Sequence, residues 1–210
     1  MAGDSFEISI DFTALAKSFM AGSSFSTLVE NENERAGDIC ALKLAALMRS
    51  VISGGVDPAN SPSTKQLKGS TKSLVDFGRL FKSVTGSSVV GSGHSTTITV
   101  GVMRTAATAN VARIVHEGTQ QTVTFKQALL FRVLWLASIG RKVNIRSERG
   151  RVLLAQSKGK FVPLKVGTVL VVPPRPFALQ TLNDPRTKAI VESEFKSALK
   201  RAFETAAKKK

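Results

Sequence analysis

The sequence predicts an α+β fold: an antiparallel sheet packed by a helix from the N-terminal half and by a C-terminal amphipathic helix, with a basic helix-plus-strands insertion. Three observations carry this reading. Apolar and polar residues alternate with period two in Phe6-Glu7-Ile8-Ser9-Ile10-Asp11-Phe12 and again around Ile98, Val100 and Val102. Long stretches near 32–53 and 185–206 instead carry apolar residues at helical spacing. Residues 120–172 break from the rest in charge, with ten bases and one acid, Glu148. At 210 residues and 42% hydrophobic content the chain suits one domain with an elaboration. A chain of this size buries roughly 70% of its unfolded surface, which excludes disorder over the whole length. The expected organisation is a core domain from 1–119 and 173–210, with 120–172 inserted as a basic subdomain.

In chain order, the first strand has one buried face, set by Phe6, Ile8, Ile10 and Phe12. Residues 20–30 contain Ser and Gly and read as loop. Asn31 with Glu34 has capping-box spacing and predicts a helix from about 32 to 53. Its stripe is Ile39, Leu42, Leu44, Leu47, Met48, Val51 and Ile52, and Gly54-Gly55 stops it. Cys40 lies in this helix as a small core residue. Residues 57–73, rich in Pro, Ser, Gly and Lys, form a loop. Leu74 to Ser83 gives a short helical turn, then 83–91 and 95–103 form a β-hairpin joined through Gly91-Ser92-Gly93-His94. Ala106 to Glu117 is a short helix closed by Gly118, with His116 in its last turn. His116 and Glu117 are neighbours in a helix and point in different directions, so they do not form an acid–base pair.

Thr124 and Gln127 form a second capping box, and Ala128 to Ala137 is apolar at every position except Arg132. Ten residues cannot cross a bilayer. A helix apolar on all sides is expected to be buried on several of them, in the fold or between subunits, with Trp135 as an anchor. Basic and apolar residues mix over 141–165, predicting two or three short strands with Arg and Lys on the open face. Arg141, Lys142, Arg146, Arg149, Arg151, Lys158 and Lys160 are the residues expected to face a polyanion. Thr168 to Val172 reads as a strand, ended by Pro173-Pro174-Arg175-Pro176-Phe177. Asp184-Pro185 then starts the final helix, with Val191, Phe195, Ala198, Leu199, Ala202, Phe203 and Ala206 on one face.

The net charge is +15, with 30 Lys and Arg against 15 Asp and Glu. Residues 1–60 run the other way, with eight acids and four bases. A basic field of this size favours a polyanion or an acidic protein face, and equally serves solubility. No helix-turn-helix, zinc-finger or RNP aromatic pattern accompanies it, and Tyr is absent. One cysteine excludes an internal disulfide. The acidic start MAGDSFEISIDF is unlike a signal peptide, and the reading is a soluble protein kept in a reducing cytosol. Two histidines, sparse carboxylates in the basic half, and no G-x-x-x-x-G-K-[ST], G-x-S-x-G or metal-ligand spacing leave neither catalytic nor cofactor nor metal residues to name. The chain is read as no enzyme.

Three segments in order go further. Pro62-Ser63-Thr64-Lys65 leads to Leu74-Val75-Asp76-Phe77-Gly78-Arg79-Leu80; Ala112-Arg113-Ile114-Val115-His116-Glu117-Gly118-Thr119 follows; Pro173-Pro174-Arg175-Pro176-Phe177 precedes the last helix. This order resembles the phage virion morphogenesis family, the tail-completion and head–tail joining neck proteins of tailed bacteriophages, over about 34–119 and 167–207. Asn110-Val111 stands where the family has an aromatic entry, and 120–172 where it commonly has a short loop. The resemblance implies a structural virion protein that forms a ring of six or twelve copies joining head connector to tail around the DNA channel. It implies as partners its own copies, portal-side and tail-side phage proteins and packaged DNA, with no membrane, and a location in the virion neck, or in the host cytoplasm during assembly.

Independently of the family, Arg175 held between two prolines loses little freedom on making a bidentate contact, which predicts a tie to Glu117 or to an acid of a neighbouring subunit. Phe177 should fill the core or an interface. Glu117, Gly118, Thr119, Trp135, Pro174, Arg175, Pro176 and Phe177 are thus the expected interface or structural residues. The alternative reading is a nonspecific nucleic-acid-binding protein, and a third is an enzyme acting on nucleic acid.

Overall fold

In the computed structural model the described residues are 5–12, 23–56, 79–91, 95–102, 109–141 and 163–208. Their order is β1 (Ser5–Asp11), α1 (Ser23–Gly54), α2 (Arg79–Lys82), β2 (Val84–Val90), β3 (Ser95–Val102), α3 (Ala109–Glu117), β4 (Thr119–Thr122), α4 (Phe125–Ser138), β5 (Val169–Val172), α5 (Phe177–Leu182) and α6 (Pro185–Lys208). The fold is α+β, as the periodicities require. The expected loop 57–73, the turn around His94 and any strands within 142–162 fall outside the described residues.

The hairpin β2–β3 forms with Val84 opposite Val102 and Val90 opposite Thr96. β1 joins the free side of β3, Phe6 opposite Val100 and Ile8 opposite Ile98, giving an antiparallel sheet ordered β1-β3-β2. Alternation along β3 is strict: Thr96, Ile98, Val100 and Val102 are buried and the residues between them are half-exposed. One face of the sheet therefore needs a cover, and α1 supplies it.

α1 has 32 residues, about 48 Å of helix. It begins at Ser23, so the loop expected at 20–30 is helical from 23 onward and the Asn31 capping box lies inside the helix. Tertiary packing overrides the weak propensity of the Ser-rich start: Val29 is buried and the Phe25 ring lies 5.2 Å from Phe203 of α6. Its buried residues, Ala36, Cys40, Ala41, Leu44, Ala45, Leu47, Met48 and Ile52, belong to the main core, and small ones among them let it come close to the sheet. The approach is close enough that a Cβ on Gly86 of β2 would overlap the Ala41 carbonyl. Leu42, expected in the buried stripe, is 68% exposed, and Ile39 is half-buried. The two lie toward the outer edge of a stripe whose centre runs through 40, 44 and 48.

The end helix packs along α1. Phe195, Ala198 and Ala202 are buried, Phe195 stacks on Phe12 at 5.4 Å, and the pairs Arg201–Glu32 and Lys43–Glu194 flank the contact. Asp184 caps α6 ahead of Pro185: its carboxylate accepts the Arg186 main-chain N–H at 2.9 Å and the Arg186 guanidinium at 2.9 and 2.7 Å. These bonds hold the Asp184 carboxyl down at about 2.

Candidate functional site

The segment Ala112–Thr119 and the segment Pro173–Phe177, far apart in sequence, meet in the fold. α3 ends at Gly118, whose φ of +75° is the left-handed conformation of a helix C-cap. A Cβ there would stand 2.7 Å from the Val172 carbonyl oxygen and 2.8 Å from the Pro174 nitrogen, so the two segments touch main chain to main chain. One turn back, the Val115 carbonyl accepts the Arg175 N–H at 2.9 Å. The His116 ring meets Phe177 edge-on at 5.6 Å. Phe177 is fully buried in the main core, as expected, and opens α5, a short helix the sequence reading did not contain. Within it Thr181 bonds back to the Phe177 carbonyl, and Thr187 of α6 closes onto the Thr181 carbonyl at 2.6 Å, which holds α5 against the first turn of α6.

Arg175 is 8% exposed, and burial pulls its guanidinium below its usual pKa while leaving it charged. The expected tie to Glu117 is not made: among the described residues no ion pair joins the two. Val115 packs against the core, and Glu117, two residues or about 200° further round the helix, is exposed. The segments are joined by the main-chain bond to Val115, the Gly118–Pro174 approach and the His116–Phe177 contact. Pro174 is exposed, and Pro176 is the residue preceding α5.

Thr119 begins β4, an unpredicted strand that pairs with β5, Thr119 opposite Val172 and Thr122 opposite Val169. Two further main-chain bonds, Val123 N–H to the Thr168 carbonyl at 2.8 Å and Gly167 N–H to the Val123 carbonyl at 3.0 Å, extend the ribbon. The chain thus leaves and returns through adjacent strands. Thr124 then caps α4 as its sequence predicts: the Thr124 N–H donates to Gln127 Oε1 at 2.9 Å, and the Gln127 N–H to Thr124 Oγ1 at 3.4 Å.

The fold buries only Leu134 of α4 among the residues expected to be buried on several sides. Phe125 is 70% and Leu129 52% exposed, and Leu130 is exposed as well. No other described helix or strand lies closely along α4. Beside it, Pro163 to Val166 border a groove of about 520 Å³ whose α4 wall is Phe125, Ala128, Leu129, Arg132 and Trp135. Trp135 is half-buried there. Residues 119–141 and 163–172 carry Lys126, Arg132, Arg141 and Lys165 and no acid. Residues 163–165 are not strand, and Arg141 is exposed just past α4. Lys142, Arg146, Arg149, Arg151, Lys158 and Lys160 lie outside the described residues.

A second groove, of about 480 Å³, was not anticipated. It runs along the outer face of α1, lined by Asn31, Glu34, Arg35, Asp38, Ile39 and Leu42. The spacing of 3, 1, 3, 1 and 3 was readable as a helix face; assigning Ile39 and Leu42 to the core concealed it.

Cys40 is fully buried, and its surroundings raise the thiol to about 11, burial acting first and the Glu194 carboxylate second. It stays neutral and unreactive near neutral pH. Among the described residues no group of three His, Cys, Asp or Glu side chains is placed to hold a metal ion, and no helix is long and apolar enough to cross a membrane. Fold and surface together define an α+β protein with an exposed apolar helix beside an uncharged two-stranded ribbon, flanked by Lys126, Arg132, Arg141 and Lys165. Comparison with protein-family models, with curated proteins and with solved structures gives no match.

Proposed function

We propose that this chain is a structural virion protein of a tailed-phage neck, assembling as a ring that joins the head connector to the tail around the DNA channel. The observation that carries the reading is α4. A stable monomer rarely leaves Phe125, Leu129 and Leu130 exposed together on one short helix unless a partner covers them. The order of the three short motifs supports the same family. Two of them, 112–119 and 173–177, also lie against each other in the fold through the Gly118–Pro174 contact and the Val115–Arg175 bond. Such a protein acts by surface complementarity, with the 120–172 insertion contributing neighbour contacts and no bond broken. The test is genetic and microscopic: in particles made without the protein, filled heads should stand apart from tails, and supplying the chain should join them. Normal joined particles in its absence would reject the reading.

A second reading, nonspecific nucleic-acid binding, is favoured by one observation: the described part of the insertion carries four bases, Lys126, Arg132, Arg141 and Lys165, and no acid. Tight duplex binding by a monomer, with log K falling steeply against log salt, would support it over the ring.

A further inference from the structure

We infer that the two surface grooves are the two halves of one contact between successive copies: the basic apolar groove beside α4 receives the acidic outer face of α1 from the next copy. The inference deepens the ring reading and rests on it for closed symmetry. The occupant follows from charge. The α4 groove is lined by apolar side chains, Leu129 and Trp135 among them, and by the bases Arg132 and Lys165, with Lys126 nearby. Its complement is an apolar ridge flanked by carboxylates. This chain has one with acids in excess: Leu42 stands 68% exposed beside Ile39 on α1, with Glu34 and Asp38 along the same face, Glu30 a turn before, and Arg35 as the one base among them. Asp38 accepts a hydrogen bond from Ser88 of β2, which fixes that end of the face to the sheet. Residues 1–60 carry eight acids against four bases, and Glu30, Glu34 and Asp38 of them follow one another at four-residue spacing along α1. A helix laid in a groove, with apolar anchors a turn apart and charges at the rim, is a recurrent mode of association. Opposite potentials steer the encounter and exclude the wrong register, since groove against groove would oppose like charges. The two faces differ, so each copy uses one toward each neighbour. Such a head-to-tail contact closes into a ring or grows into a filament.

The experiment is sedimentation of the full-length chain with two reversed-charge variants, each checked for native circular dichroism. One is Arg132→Glu with Lys165→Glu, the other Glu30→Lys with Glu34→Lys. The wild type should assemble. Each variant alone should associate about tenfold more weakly or worse. An equimolar mixture should regain assembly, because in it every groove finds an opposite face. Leu42→Ala and Leu129→Ala, which change no charge, should weaken association if a reversed-charge chain fails to fold. Wild type that stays monomeric at about 100 µM, well above the concentration a specific interface requires, would overturn the inference. So would variants that assemble normally, or a mixture that stays dissociated. If Arg132→Glu with Lys165→Glu abolishes duplex binding and leaves assembly intact, the groove belongs to DNA and the inference also fails. A chain that assembles through other faces sinks this contact and leaves the neck reading standing. One that assembles through these faces but is absent from particles does the reverse.

Discussion

Gly118 and Pro174 meet through their main chains, with only 2.8 Å between the place a Gly118 Cβ would occupy and the Pro174 nitrogen. This approach locks the end of α3 against the chain entering α5, and it requires both the missing side chain and the φ of +75°. Gly118→Ala should therefore cost about 2–4 kcal/mol, more than a left-handed alanine alone. Gly140 has φ +82° and nothing within 4 Å of a built Cβ, so Gly140→Ala should cost only about 1 kcal/mol. Urea unfolding of both variants measures the difference; equal costs would remove the contact from the account.

Two phenylalanines separate stability from assembly. Phe177 is fully buried, and Phe177→Ala should destabilise by about 3–5 kcal/mol. Phe125 is 70% exposed, so Phe125→Ala should leave the unfolding midpoint nearly unchanged while weakening self-association. Denaturation and sedimentation on the same two variants give both readouts.

Asn33 is 2% exposed on α1, and neither its amide nitrogen nor its amide oxygen has a hydrogen-bond partner. Two desolvated groups without compensation make this a costly side chain. Asn33→Leu, which keeps the branching at Cγ but is bulkier, should raise stability by about 1 kcal/mol. A loss of stability would mean that the amide is satisfied in solution.

The Asp184 carboxyl titrates at about 2 in the folded chain against 3.8 ordinarily, chiefly through its bonds to the Arg186 side chain, then to the Arg186 main chain. Between those values the unfolded chain binds the extra proton, so stability falls as pH falls. The contribution of this cap is complete above about pH 4 and fades toward pH 2. Asp184→Ala should show a shallower loss of stability over that interval in denaturation curves taken across pH.

The period-two strands, the one capping box that is used and the amphipathic end helix were legible because each is local: β1, the β2–β3 hairpin, the Thr124 cap and Pro185 at the start of α6 follow from neighbouring residues. What failed was settled at a distance. Whether 23–30 is loop or helix depended on Phe203, some 180 residues away, and β4 exists because β5 lies beside it. Leu42 carries the same pattern as Leu44, and only the position of the sheet decides which of them is buried. Arg175 was expected to tie its segment down through Glu117 or an acid of a neighbouring subunit; no ion pair to Glu117 is made, and its main-chain N–H bonds the Val115 carbonyl, a contact any residue type except proline would have offered.

In the proposed function the chain works by fitting copies of itself together. Electron micrographs of the purified full-length protein over a range of concentrations test that most directly. The account predicts rings of a single diameter. Single protomers at every concentration would contradict it.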